Sequence, residues 1–303
     1  MIVDFHIRCF VVVILFPCAV LAGCSRGGDG PDGAEPPTTG RQAGIIGQPK
    51  PETFESLEDR LLWERPFAIV RDDEGSVRKL NLLAQTLSPE EIDDICAYEH
   101  LEVLLVGQTN VVDGDLKKFA EIETLKSLGL RDTAVTDDGL RFLAGAAGIE
   151  VLMLARTEIG DEGVAHLANL HEMTALDFRG TRITDGAMTS VEMMIVLETL
   201  DLGNTGTTDQ GLGKIGRLES LRRLELDGTG ITDDGLRLLV GLEHLQVLGL
   251  AGTSATDRGL AALEDGLPAL EAIDVDGTEI TKEGVLDFVQ KRPLVKVSRS
   301  EDS

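Results

Sequence analysis

From Leu221 to His244 the chain reads LRRLELDGTGITDDGLRLLVGLEH. Leu224 and Leu226 alternate around Glu225, and Leu221 precedes them by one more step. That period predicts a short strand whose leucines point into a core while Glu225 faces outward. Beyond Thr229 the period changes. Leu236, Leu239 and Leu242 fall three apart, which predicts one buried stripe on a short helix. Thr232 and Asp233 stand where that helix starts. A threonine hydroxyl there accepts from a free backbone N–H, and an aspartate in the first turn faces the positive end of the helix dipole.

Shifted by 24 residues, the pattern returns. Copies begin at Val77, Leu101, Leu125, Ile149, Met173, Leu197, Leu221 and Leu245; one added residue resets the frame to Leu270, and a truncated tenth copy starts at Leu294. One copy cannot bury its own leucines, whereas stacked copies can. A fixed period of this length therefore predicts a solenoid, with the strands side by side as a parallel sheet and the helices behind it.

Thr229 recurs as Thr109, Thr133, Thr157, Thr181, Thr205, Thr253 and Thr278, where the chain turns away from the sheet. Buried turn amides and carbonyls need partners. The expectation is that each hydroxyl donates to the backbone of the next coil, forming a ladder. Gly235 recurs as Gly139, Gly163, Gly211, Gly259 and Gly284. A glycine inside a helix weakens it, so the expected reason is close approach to a neighbouring coil.

The T-D-x-G-L core and its in-register copies from Val77 to about Arg299 resemble the leucine-rich-repeat family, most of all the subfamily with a cysteine at the threonine position and the bacterial proteins built on the same template. The resemblance implies an α/β, right-handed solenoid with a parallel concave sheet and helices on the convex side. For function it implies a recognition scaffold, by analogy of fold alone.

Outside the repeats, residues 52–76 predict an N-terminal cap. Phe54, Leu57, Leu61 and Leu62 form one helical stripe ended by Pro66, Phe67 to Val70 read as a strand, and Asp72 to Gly75 as a turn. Trp63 is expected to pack in this cap rather than bind a ligand. In the first repeat Gln85 replaces the recurrent threonine. The fifth has Gly186-Ala187-Met188 in place of x-G-L, and three methionines in its helical half. The sixth puts Thr207 where isoleucine belongs and is expected to be the least well packed. Leu294 to Val297 should add a last strand before a frayed tail at 300–303.

The opening MIVDFHIRCFVVVILFPCAVLAGC has an apolar stretch from Cys9 to Val20, too short to span a membrane as a mature helix. Leu21-Ala22-Gly23-Cys24 resembles the lipobox of bacterial lipoprotein signals, which implies cleavage after residue 23 and a lipid on Cys24. An ordinary signal peptide cut near Ala22, or an uncleaved anchor, is the alternative. Ser25 after the cysteine resembles outer-membrane sorting in the bacterial cell envelope. Residues 24–51 are rich in Gly and Pro and predict a disordered tether, reaching roughly 30 Å. Of the four cysteines only Cys96 would remain in the folded part, as a buried thiol without an intrachain disulfide.

Charge narrows the partners. The formal net charge is −25, and the charges before residue 52 cancel, so the repeats and cap carry all of it. That argues against nucleic acid and against docking of this domain on anionic lipid. The expected partner is a protein or peptide on the concave face, with no cofactor. Leu83, Val103, Leu105, Val151 and Met153 predict an exposed apolar strip in its N-terminal half, unless curvature shields them. Asp177, Asp201, Glu225, Asp227, Asp274 and Asp276 predict an acidic strip in its C-terminal half. Arg131, Arg179 and Arg223 are interspersed. The candidate contact residues are Leu83, Val103, Leu105, Arg131, Val151, Met153, Asp177, Arg179, Asp201, Glu225 and Asp227.

A second row, Asp113, Asp137, Asp161, Asp185, Asp209, Asp233 and Asp257, has two readings. As helix starts, each wants an aspartate. As a calcium ladder it would make the protein a cation-dependent structural or cell-surface module. Enzyme motifs are lacking: Asp201 beside Glu225 could suit acid/base work, but a flat face excludes no water. His166 and Glu162 alone do not complete a metal site.

Overall fold

A computed structural model describes residues 56–64 and 68–300. The expected signal segment, Cys24, the tether, Phe54, Phe67 and residues 301–303 lie outside the described residues, as does the Trp63 side chain. The description concerns the unit from Pro49 onward.

Eleven strands form one open sheet in chain order. Helix α1 (Leu57–Glu64) leads into β1 (Ile69–Arg71), which pairs antiparallel with β2 (Val77–Asn81). The turn between them has Gly75 at φ 87°, with Asp72 accepting from Gly75 N–H. Leu57 and Leu61 of α1 are fully buried against the first coil. From β2 onward the sheet is parallel: β3 (Val103–Leu105), β4 (Ser127–Gly129), β5 (Val151–Met153), β6 (Ala175–Asp177), β7 (Thr199–Asp201), β8 (Arg223–Glu225), β9 (Val247–Gly249), β10 (Ala272–Asp274) and β11 (Lys296–Ser298). The inward leucines stand in one register, Leu80 beside Leu104, Leu128, Leu152, Leu176, Leu200, Leu224 and Leu248. Each is at most 1% exposed. A leucine buried this fully contributes about 2 kcal/mol, so the stacked row is the main source of cohesion.

The helices behind the sheet are short: α2 (Pro89–Cys96), α3 (Asp113–Phe119), α4 (Asp137–Leu140), α5 (Asp161–Ala165), α6 (Met188–Val191), α7 (Asp209–Ile215), α8 (Asp233–Leu238), α9 (Asp257–Ala262) and α10 (Lys282–Lys291). Thr208, Thr232, Thr256 and Thr281 cap α7 to α10 by accepting from the first-turn amides, as expected. Helices this short are stable because one face is buried, not through propensity.

The recurrent threonines do not form the expected ladder between coils. Thr229 Oγ1 donates to Leu226 O in its own coil, and Thr133, Thr157, Thr181 and Thr253 do the same to Leu130, Leu154, Phe178 and Leu250, at 2.6–2.7 Å for these four. The reason is that the next coil's carbonyls are already engaged. Leu226 N–H donates to Gly249 O and Gly228 N–H to Ala251 O, at 2.9 and 2.7 Å. Leu226 O accepts the turn bond from Thr229 N–H at 3.2 Å, and the hydroxyl fills the second lone pair of the same carbonyl.

The aspartate row provides a recurrent side-chain link between coils. Asp209 accepts from Thr232 N–H and Oγ1, Asp233 from Thr256, and Asp113, Asp161, Asp185 and Asp257 likewise from Thr136, Thr184, Thr208 and Thr281. Asp137 meets Gly160 and keeps only the amide bond, 2.7 Å. Each carboxylate except Asp185 thus begins its own helix, and all hold the entry to the next coil's helical half. The recurrent glycine belongs to the same device. A Cβ at Gly211 would lie 2.6 Å from Asp185 Oδ1, and one at Gly139, Gly163, Gly235, Gly259 or Gly284 would collide with the preceding aspartate.

The irregular coils follow from this. In the fifth, the glycine against Asp161 is Gly186, one residue early, and α6 starts only at Met188. In the sixth, Thr207 is fully buried and shares a hydrogen bond with Thr205, 3.0 Å between hydroxyls. Leu212 and Ile215 of that coil are buried too, so the looseness expected there is not seen. The fifth coil exposes Met193, Ile195 and Val196, and the seventh Leu238 and Val240. At the last coil Leu294 does not enter the core. It is 91% exposed, while Val295 turns inward and the strand starts at Lys296. Helix α10 runs on to Lys291, which delays the chain's return to the sheet. Cys96 ends α2 half-buried against the core, where burial pushes its thiol up to about 11.

Candidate functional site on the concave face

The helix-free face of the sheet carries the side chains that differ from coil to coil. Asn81, Leu105, Gly129, Met153, Asp177, Asp201, Glu225, Gly249 and Asp274 stand side by side in ladder register. Neighbouring strands lie about 4.8 Å apart, so the positions of this row are close enough for side chains on adjacent strands to meet. Of the candidate contact residues, Leu105, Met153, Asp177, Asp201 and Glu225 stand in this row.

The sequence did not foresee how deeply they sit. Val103 is only 8% exposed, and Leu83, Leu105, Val151 and Met153 are half-buried, so the apolar strip is not an open patch. The cause is the glycine at Gly107 and Gly129. A Cβ on Gly129 would lie 2.8 Å from Leu105 Cδ2 and 3.3 Å from Met153 Cε, and one on Gly107 would lie 2.6 Å from Arg131 Cγ and 3.0 Å from Leu83 Cδ1. Long side chains fold over the bare backbone of the next strand. Arg131 lies down in this way and also reaches Asp132, 3.3 Å away.

The acidic half is built likewise. Asp201 pairs in register with Asp177 on one side and Glu225 on the other. Asp201 is 6% exposed, and Glu225 is half-buried. A flat face that excludes no water is thus a poor description of this row. Burial first, and then the Asp177 charge, push the Asp201 carboxyl up to about 7. Burial pushes Glu225 up to about 6 against the pull of Arg223, and raises Asp177. Arg179 lies over the row, 4.0 Å from Asp201 and 3.5 Å from Asp227, and covers Gly203. Arg223 pairs with Glu225 on its own strand.

Part of this acidity is structural, which the spacing did not reveal. Asp177 Oδ1 accepts from Arg179 N–H at 3.0 Å, Asp201 from Gly203 at 2.8 Å and Asp274 from Asp276 at 3.0 Å. Each bond closes the exit of its strand, and Asn81 does the same for Leu83. Asp227 bonds Ala251 N–H of the next coil at 3.1 Å. Chemically, the row can accept hydrogen bonds or a cation, and Asp201 can hold a proton near neutral pH.

The helix-start aspartates stand apart from this face. Their oxygens are engaged by the next coil's amide and hydroxyl, which leaves little of a calcium ladder. Among the described residues no group of three or more acidic, histidine or cysteine side chains is placed to hold a metal. The first turn of α5 carries Glu162, and His166 is its C-cap.

These features define a leucine-rich-repeat fold, an open solenoid of stacked coils. Two stretches, residues 122–144 and 217–240, match the Leucine Rich repeat family model. In structure the chain is similar to an internalin from Listeria monocytogenes, with 20% identity and a TM-score of 0.55 over 69% of this chain and 56% of that one. It is also similar to internalin C2 of the same organism, with 22% identity and a TM-score of 0.50 over 63% of this chain and 84% of that one. The match thus spans little more than half of the first internalin, and at such identities the likeness speaks for the fold. Comparison with curated proteins returned no match.

Proposed function

We propose that this chain is a recognition scaffold whose concave face takes up a protein or peptide. The observation that carries the reading is the division of labour between positions. Leucines, threonines, aspartates and glycines that recur are spent on holding coil to coil, whereas Leu105, Met153, Asp177, Asp201 and Glu225 differ in chemistry while sharing one row. Variable side chains on a rigid scaffold are where specificity is built. A ligand here meets an apolar half and a carboxylate half, and no cofactor or nucleic acid is required. The formal charge of −25 supports a polypeptide partner over a phosphate backbone.

The same proposal places the scaffold in a bacterial cell envelope, held to a membrane, by sorting the outer one, through a lipid on Cys24. The sequence Leu21-Ala22-Gly23-Cys24 and the Gly/Pro-rich stretch after it support this.

The test is site-specific photocrosslinking in the native cell. A photoreactive residue at 105, 153 or 225 should give the same discrete adduct, and one at the convex positions 193 or 238 should not. Adducts confined to the convex positions would sink the reading.

A further inference from the structure

The concave face changes character along the solenoid. Three rows of outward positions cross it, one in the middle of the strands and one two residues to either side. From β2 to β5 these rows hold the basic residues Lys79 and Arg131 and no carboxylate. From β6 to β10 they hold six carboxylates, Asp177, Asp201, Glu225, Asp227, Asp274 and Asp276, against two guanidiniums, Arg179 and Arg223. The long apolar side chains, Leu83, Leu105 and Met153, belong to the first stretch, and no leucine or methionine stands outward in the second.

The negative charge of the second stretch exceeds what its turns require. Asn81 Oδ1 accepts from Leu83 N–H at 3.2 Å, the same bond that Asp177, Asp201 and Asp274 make at their own strand exits. A neutral amide carbonyl therefore suffices at this position. The carboxylates are also set against one another. Asp177, Asp201 and Glu225 are neighbours in one ladder, where burial and mutual repulsion disfavour their charged forms. Arg179 over Asp201 and Asp227, and Arg223 on Glu225, offset only part of that repulsion. Positive charge brought by a partner relieves the rest.

We propose that the partner is an amphipathic basic polypeptide segment laid across the strands, its apolar side chains over β3–β5 and its lysine or arginine side chains over β6–β10. This rests on the concave face being the binding face, and adds the sign of the partner's charge and its direction along the solenoid. From β3 to β10 the strands span about 34 Å, which about ten extended residues cover. Lys79 and Arg131 disfavour the reverse placement.

Fluorescence anisotropy of the full chain with labelled 14-residue peptides tests this. The first peptide has leucines in one half and lysines in the other; one control has glutamates for the lysines, and a second has serines for the leucines. The first should bind saturably, at least tenfold tighter than the glutamate peptide and several-fold tighter than the serine one. Asp177→Asn with Glu225→Gln keeps the size of both side chains and the acceptor for Arg179 N–H, and should weaken binding about tenfold. Asp138→Asn with Asp234→Asn removes the same charge from exposed positions on α4 and α8, and should leave affinity within twofold. No saturable binding of the first peptide, equal affinity for it and either control, or equal weakening by the two pairs of substitutions would overturn the proposal. A discrete crosslinked adduct at 105, 153 or 225 beside any of those results would keep the concave face as the binding face and remove the basic partner.

Discussion

Asp209 and Thr232 lie one coil apart and are joined twice: the carboxylate accepts the threonine N–H at 2.9 Å and its hydroxyl at 2.6 Å. The bond fixes where α8 begins relative to α7, and it occupies the space a Cβ at Gly235 would need. Three residues of the T-D-x-G pattern thus form one joint that works only between neighbours. This explains why they recur together.

The joint predicts a non-additive mutant cycle. Gly235→Ala forces a methyl against the Asp209 carboxylate and should cost about 1–3 kcal/mol. Asp209→Ala leaves the Thr232 entry without its acceptor and should cost about 1–2 kcal/mol. In the double variant the methyl finds room, so urea unfolding should give a total clearly below the sum. Strict additivity would mean that the two residues do not share this contact.

The recurrent threonine predicts a different pattern. Thr229→Val keeps the shape but leaves Leu226 O with only the N–H of residue 229, at a loss of about 0.5–1.5 kcal/mol. Thr229→Ser keeps the hydroxyl and should lose less. Equal losses in thermal unfolding would show that only packing matters at this position.

Protonation of the concave row gives the stability a distinctive pH dependence. Asp201 and Glu225 have folded values of about 7 and 6, above their ordinary values of 3.8 and 4.5. Between these limits the folded state holds more protons than the unfolded chain, so stability falls as pH rises from about 4 to 7. Their contribution is fully present below the ordinary carboxylate range and is lost above neutrality. Asp132, held down to about 2 mainly by Arg156, acts oppositely: its contribution is present above pH 4 and lost as pH falls toward 2. The melting temperature should therefore be higher at pH 5 than at pH 8, and Asp201→Asn should flatten that slope. An unchanged slope in Asp201→Asn would refute the assignment to this row.

The period of 24 made the fold legible because the inward leucines are equivalent in both sequence and space, Leu200 beside Leu224 beside Leu248. The joints were less legible. Helix-start preference alone accounts for an aspartate at position 209, so nothing local signals that its partner stands 23 residues on. The threonine hydroxyl of Thr229 has its own coil and the next within reach of any spacing argument, and only the occupied ladder carbonyls decide between them. At the candidate site, alternation identifies the face of Leu105 and Asp201. It does not reveal that Gly129 lets Leu105 and Met153 lie flat, nor that Asp201 sinks between two other carboxylates.

The proposed lipid anchor at Cys24 makes a separate prediction. Metabolic labelling with a radioactive fatty acid should mark the full chain, and Cys24→Ser should abolish the label while leaving the solenoid folded. Labelling that persists in Cys24→Ser would place the lipid elsewhere.

The central claim, that the varied residues of the concave row select the partner, is tested most directly by affinity capture from the native envelope. The parent protein is compared with Leu105→Asp/Met153→Asp, with circular dichroism as the check that both are folded. A band recovered by the parent and missing from the double variant is the predicted result. Identical recoveries from two folded proteins would contradict it.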